Sequence, residues 1–132
     1  MPCPYFTMYQ MSIDPGVNTG VVVCGDELVY QATFRNDIIA SIRELIKRFG
    51  ASRMDVIVES APAHGDKRQI ERVERVVSVL REYFSEDYIH MVSPGHWKSL
   101  AKARGWAKEI TGSVHVKDAY CMLRYYRITI KR

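Results

Sequence analysis

The sequence predicts an α/β fold: a five-stranded mixed sheet, three antiparallel strands followed by parallel ones, flanked by helices. Three observations carry this. Before residue 35 there are three short apolar runs separated by turn residues, the pattern of an antiparallel meander. After it, stretches with apolar residues at helical spacing alternate with further short apolar runs, as in strands joined by helices. The run MDVIVE, Met54 to Glu59, is apolar almost throughout and closes on a carboxylate, which suits a parallel strand covered on both faces.

The elements follow in order. The first strand covers about Met8 to Asp14. Pro15 and Gly16 turn the chain, and Pro15 belongs where ladder pairing stops because it has no N–H to donate. Gly16 and Gly20 permit backbone conformations or close approaches that a side chain hinders. The second strand runs from about Thr19 to Cys24, Gly25-Asp26 reads as a hairpin turn, and the third strand is about Leu28 to Phe34. Asn36 or Asp37 is placed to cap a helix in which Ile38, Ile39, Ile42, Leu45, Ile46 and Phe49 share one side, and Gly50 ends it. After the fourth strand, APAHG reads as an irregular loop. Residues 66–84 form a second helix with one apolar seam at Ile70, Val73, Val77, Leu80 and Phe84. A second stripe, Val76, Val79 and Tyr83, either faces a partner such as a second copy of the chain or wedges between the sheet and another helix. Tyr88 to Val92 is a short fifth strand, a helix begins near His96 and Trp97, and Ser113 caps a last helix from about Val114 to Tyr126. Loose ends are expected at residues 1–7 and in the basic terminus RITIKR.

Composition bounds the setting. The 132 residues suffice for one domain with its own core, and 47% hydrophobic with 26% charged residues is ordinary for a globular protein. The apolar runs are too short to span a bilayer and the first residues do not resemble a signal peptide, so no membrane partner is expected. Cys3, Cys24 and Cys121 lie far apart, which disfavours a disulfide framework or a common zinc site and suits a reducing, cytoplasmic (intracellular) location. The net charge of +4 favours a polyanionic partner modestly.

Two strands end in acids, Asp14 and Glu59. As parallel neighbours they would share one sheet edge, where two carboxylates repel unless a cation lies between them. Mg²⁺ takes oxygen ligands of this kind. His115 and Asp118, three apart near the start of the last helix, lie on one face and are candidates to join the same edge. Each residue also has a plainer reading. Asp14 shapes a turn, Glu59 pairs with an arginine, and Asp118 sits favourably in the first turn of its helix. His64, His90 and His96 read as loop or surface residues, and Asp66 and Lys67 either approach a nucleic acid or cap their helix. Trp97 and Trp106 stack on bases or belong to the core, and Cys24 and Cys121 look like small core residues.

The element order and four segments resemble the ribonuclease H superfamily, and within it the RuvC-type Holliday-junction resolvases and their viral or phage relatives. IDPGVNTG (13–20) resembles the first-strand motif, VIVES (56–60) the second acidic strand, VSPGHWK (92–98) the segment before a basic helix, and HVKDA (115–119) the final helix. The resemblance implies one ribonuclease H-like nuclease domain over residues 1–132. It implies hydrolysis of phosphodiester bonds in branched DNA, a four-way junction, by a homodimer; the apolar stripe makes the helix at 66–84 the expected interface if the chain dimerises. It also implies two Mg²⁺ ions, with Mn²⁺ as the alternative: Asp14 bridges both, Glu59 and Asp118 each complete one shell, and His115 binds a metal or positions water or phosphate. Lys98, Lys102, Arg104 and Lys108 become candidate DNA contacts. The stretch between Trp97 and Ser113 is compressed relative to the family, and His115 stands where many members have Asp. Two other readings stay open: a nuclease of this fold acting on RNA–DNA hybrid, flap or single strands, and a non-catalytic nucleic-acid-binding module.

Overall fold

The structure, a computed structural model, describes residues 9–62 and 64–129. The expectations for residues 1–7, Met8, Cys3 and the last three residues of the basic terminus lie outside that range, as does Ala63 of the APAHG loop. Five strands, β1 (Tyr9–Asp14), β2 (Thr19–Cys24), β3 (Leu28–Phe34), β4 (Met54–Glu59) and β5 (Ile89–Val92), form one sheet in the order β3-β2-β1-β4-β5. The pairs β1–β2 and β2–β3 are antiparallel; β1–β4 and β4–β5 are parallel. Four helices flank the sheet: α1 (Ile38–Phe49), α2 (Lys67–Tyr83), α3 (Pro94–Arg104) and α4 (Val114–Thr129). The predicted mixed sheet with flanking helices is the one observed. No helix among the described residues is long and apolar enough to cross a membrane.

Alternation along the strands sorts the core into two layers. Met11, Ile13, Val21, Val23, Val56 and Val58 face α1 and α2. Val22 and Cys24 face Val116, Ala119 and Leu123 of α4, while Ile57 and Val92 meet Trp97 of α3 and Met122 of α4. Strands β1, β2 and most of β4 are therefore buried on both faces, which is why their sequence runs lack polar alternation.

Helix boundaries follow local chemistry. The Asp66 carboxylate caps α2, accepting from the Arg68 N–H at 3.4 Å. Ser113 caps α4, its Oγ accepting from the Val116 N–H at 3.1 Å. Asp37 precedes α1 in a left-handed conformation (φ 51°) and caps it through its carbonyl, which accepts from the Ser41 N–H at 2.9 Å; its side chain makes no cap bond. Helix α3 starts earlier than expected, at Pro94, because proline's fixed φ and missing N–H suit the first turn of a helix. It ends at Gly105 (φ 66°), and a short 3₁₀ turn, Trp106–Lys108, follows. Tyr88 belongs to a 3₁₀ turn rather than to β5, and α4 continues past Tyr126 to Thr129.

Two expectations are corrected. Val76 and Val79 are 2% and 5% exposed within the single chain, because α1 packs against α2. The second stripe is the wedge, not a free face, so it gives no argument for a homodimer through that helix. His90 is no loop or surface residue: it is half-buried in β5, its Nε2 3.1 Å from Asp55 Oδ1 and 3.4 Å from the Tyr126 hydroxyl.

Candidate active site

Ladder register places the first two acids. Ile13 pairs with Val58, so Asp14 and Glu59 end adjacent parallel strands, and both belong to the sheet face covered by α3 and α4. Asp14 is 9% exposed. Its turn is braced from two sides. The Thr19 hydroxyl donates to the Gly16 carbonyl at 3.1 Å, and Gln69 Nε2 of α2 donates to the Pro15 carbonyl at 2.8 Å. Pairing stops one residue before Pro15, as proline requires.

The last helix reaches the acids through Gly20. Gly20 is the direct ladder partner of Asp14, and α4 lies against it so closely that a Cβ there would overlap the His115 carbonyl and stand 2.8 Å from the Val116 nitrogen. No residue but glycine fits this approach without displacement. The start of α4 is also tied to β3: the Ser113 and Thr33 hydroxyls are 2.6 Å apart, and Gln31 Nε2 donates to the Thr111 carbonyl at 2.9 Å. His115 and Asp118 consequently occupy the first turns of a helix fixed over the strand that carries Asp14.

Electrostatics shows which side chains influence one another. The Asp14 carboxyl is pushed up to about 8, first by burial, then by the charges of Glu59 and Asp118 and by a hydrogen bond shared with Glu59; Lys98 opposes the shift. Asp118 is also raised, by burial above all. Lys98 draws it down, Glu59 raises it, and His115 draws it down. Asp14, Glu59, Asp118, His115 and Lys98 thus form one interacting group. Lys98 comes from α3, and so does the buried Trp97, whose indole N–H donates to Glu59 Oε2 at 2.9 Å. The arginine partner considered for Glu59 is replaced by this indole. Sequence reasoning missed the role of Trp97; the available signal was that a buried indole N–H needs an acceptor.

The other predicted site residues divide. Lys98, Lys102 and Lys108 line one cavity with Asp118, whereas Arg104 is exposed on the last turn of α3 and does not line it. Lys98 Nζ lies 5.6 Å from the centroid of the Trp97 ring. Trp106 is core, with the Arg124 guanidinium 5.2 Å from its ring centroid. Cys24 and Cys121 are buried free thiols, as expected of core residues. Ser12, two residues before Asp14 on the same face, is fully buried and its Oγ has no hydrogen-bond partner among the described residues.

Among the described residues, no three His, Cys, Asp or Glu side chains stand in an arrangement that holds a metal ion. The donor set nevertheless fits a hard divalent cation chemically. It offers three carboxylates and an imidazole, and besides burial, the largest cause, the charges of Glu59 and Asp118 raise Asp14, a repulsion that a cation relieves.

No family model matches the chain, and no curated protein does. Among solved structures, the chain is similar to T. thermophilus RuvC in complex with Holliday junction substrate, at 15% identity and a TM-score of 0.70 over 94% of this chain and 97% of that one. It is also similar to a Thermus thermophilus RuvC structure, at 17% identity and a TM-score of 0.62 over 92% and 96% of the two chains. At these identities the likeness concerns architecture: the chain has the ribonuclease H-like fold that RuvC has.

Proposed function

We propose that the chain is a metal-dependent endonuclease for branched DNA, a junction resolvase of the RuvC kind. The observation that carries this reading is the convergence of Asp14, Glu59 and Asp118 at one end of the sheet, with Lys98 opposing their charge. A fold that only bound DNA would gain nothing from three acids facing a phosphate. The similar T. thermophilus protein is described with a Holliday junction, and that substrate is carried to this chain here.

In this reading Asp14, Glu59 and Asp118, with His115, hold two Mg²⁺ ions, or Mn²⁺ in their place. Such ions supply the Lewis acidity that in-line displacement at phosphorus needs. The chain's own groups do the rest. Asp14 gives up its proton so that its carboxylate becomes a ligand. Trp97 keeps Glu59 Oε2 engaged and so fixes the direction of the other oxygen. Lys98 meets a non-bridging phosphate oxygen, and Lys102, Arg104 and Lys108 meet flanking phosphates. Water attack releases the 3′ oxygen and leaves a 5′-phosphate. Paired cuts at symmetric phosphates call for a two-fold homodimer. Since Val76 and Val79 are spent on the core, its α2 face would be the exposed one, with Glu71, Glu74, Arg75 and Ser78 beside Ile39.

The test is cleavage of a labelled four-way junction with Mg²⁺, beside linear duplex, flap and RNA–DNA hybrid. Symmetric cuts in the junction alone, abolished by Asp14→Asn, are expected. Cutting of another substrate would keep the site and replace the substrate. Tight metal-independent binding with no cutting would make the chain a binding module.

A further inference from the structure

Asp14 leaves the sheet into a turn whose hold on the acid comes down to one torsion. Pairing with β4 ends at Ile13 and pairing with β2 at Asp14 itself, so Pro15 is the first residue outside both ladders. The proline ring fixes its own φ and restricts the backbone of Asp14 before it. What remains is the ψ of Pro15, which aims the Pro15 carbonyl. Pro15 is buried, and a buried carbonyl requires a donor. That donor is Gln69 Nε2, 2.8 Å away on the first turn of α2. The bond from the Thr19 hydroxyl to the Gly16 carbonyl lies within the turn and travels with it. Among the described residues, the Gln69 bond alone ties residues 15–18 to a helix. Packing does not replace it. A cavity of about 70 Å³ separates Pro15, Gly16 and Thr19 from Ile39, Arg72 and Val76, so the turn has room to relax.

Gln69 is oriented for this bond rather than for a local one. It stands three residues after the cap Asp66, where a glutamine ordinarily reaches back to the N–H of the cap residue. Here its amide turns elsewhere. Arg72 Nη1 donates to Gln69 Oε1 at 3.3 Å, and a guanidinium can only donate. Oε1 is thereby committed, and Nε2 is left for the carbonyl, which can only accept. The two partners fix which end of the amide points at the turn. We infer that Gln69 is a positioning residue of the acidic site: held by Arg72, it sets the Pro15 carbonyl and, through it, the direction in which Asp14 presents its carboxylate. The inference rests on the nuclease reading for what Asp14 does with that direction, namely bind a cation.

Gln69→Glu separates positioning from packing. Glutamate keeps the length, keeps Arg72 as a partner and is favoured in the first turn of a helix, but it has no N–H for Pro15. The metal-free variant should melt no lower than the parent by circular dichroism. The Gly16 N–H shares its peptide plane with the Pro15 carbonyl and so reports the brace directly. In EDTA its ¹⁵N order parameter should fall from about 0.85, ordinary for rigid backbone, to below about 0.6, with the second half of α2 unchanged. Mg²⁺ affinity by calorimetry should fall about tenfold, the usual scale for losing a group that orients a ligand. Added negative charge alone would strengthen cation binding, so the sign of the change excludes a charge effect. Gln69→Met, neutral and of similar length, should lose the same affinity, and Arg72→Met, which frees the amide, should lose less. An unchanged Gly16 order parameter in Gln69→Glu and Gln69→Met would overturn the proposal. A loosened Gly16 with unchanged Mg²⁺ affinity would overturn the role toward Asp14. A parent chain that takes up no Mg²⁺ would overturn the nuclease reading, and Gly16 alone would then decide the brace.

Discussion

Asp14 is where a single proton has the widest consequences. Its carboxyl titrates near 8 rather than at the unperturbed 3.8, because it is buried and shares its surroundings with Glu59 and Asp118. A value raised in the folded state means that this group's contribution to stability is full below about pH 4 and is lost as pH rises toward 8. Asp14→Asn should therefore raise the metal-free melting temperature by several degrees at pH 8 and by progressively less toward pH 4, as followed by circular dichroism. The same proton must leave before a cation binds. Mg²⁺ affinity measured by calorimetry should rise roughly tenfold per pH unit below 8 and level off above it. Ser12 gives a contrary case. Its fully buried hydroxyl has no partner among the described residues, so Ser12→Ala removes an uncompensated polar group and should stabilise the chain by about 1 kcal/mol in a urea titration. Neither side chain's state could be read from the sequence, because burial and the proximity of Glu59 arise only when strands 45 residues apart become neighbours.

At the scale of elements, the strand and helix order was legible because hydrophobic period and turn chemistry agreed nearly everywhere. It failed where one residue type serves two purposes. The sequence places the start of α3 near His96, but Pro94 and Gly95 already belong to it, since proline ends one element and begins another equally well. The width of the α2 stripe was legible, but its meaning was not. Only the packing of α1 decides that Val76 and Val79 are core, and a glutamate at either would bury a charge and unfold the chain rather than split a dimer. The acids at Asp14 and Glu59 were found from strand ends. The bond from Trp97 to Glu59 was not, because nothing local links them. The seat of α4 is the sharpest element-level prediction. Gly20→Ala should cost about 3 kcal/mol of stability, since a Cβ there meets backbone that cannot yield without moving the helix. It should also weaken metal binding, because His115 and Asp118 move with that helix.

For the whole molecule, charge is the measure. The net +4 is small, but Lys98, Lys102 and Lys108 gather it beside the acids. If these lysines meet phosphates, each alanine substitution should flatten the plot of log K against log salt by about 0.9 for duplex DNA, measured by fluorescence anisotropy in EDTA. Substitutions at Lys47 and Arg48, at the end of α1, should change the slope far less. The overall fold was legible from one chain; its substrate was not, since groove shape and dimer spacing leave no local mark on a sequence.

The rung that pairs Asp14 with Gly20 also says something about ancestry. Two elements are indexed to each other by a single step of the ladder: the acid on one strand, and opposite it the vacancy that seats the helix bearing the last acid. A slip of β2 by one residue against β1 would turn the vacancy to the other face and unseat that helix. The interval between that acid and that glycine should therefore outlast almost every other resemblance as chains of this kind diverge, and distant kin should be recognisable by it after overall identity has faded.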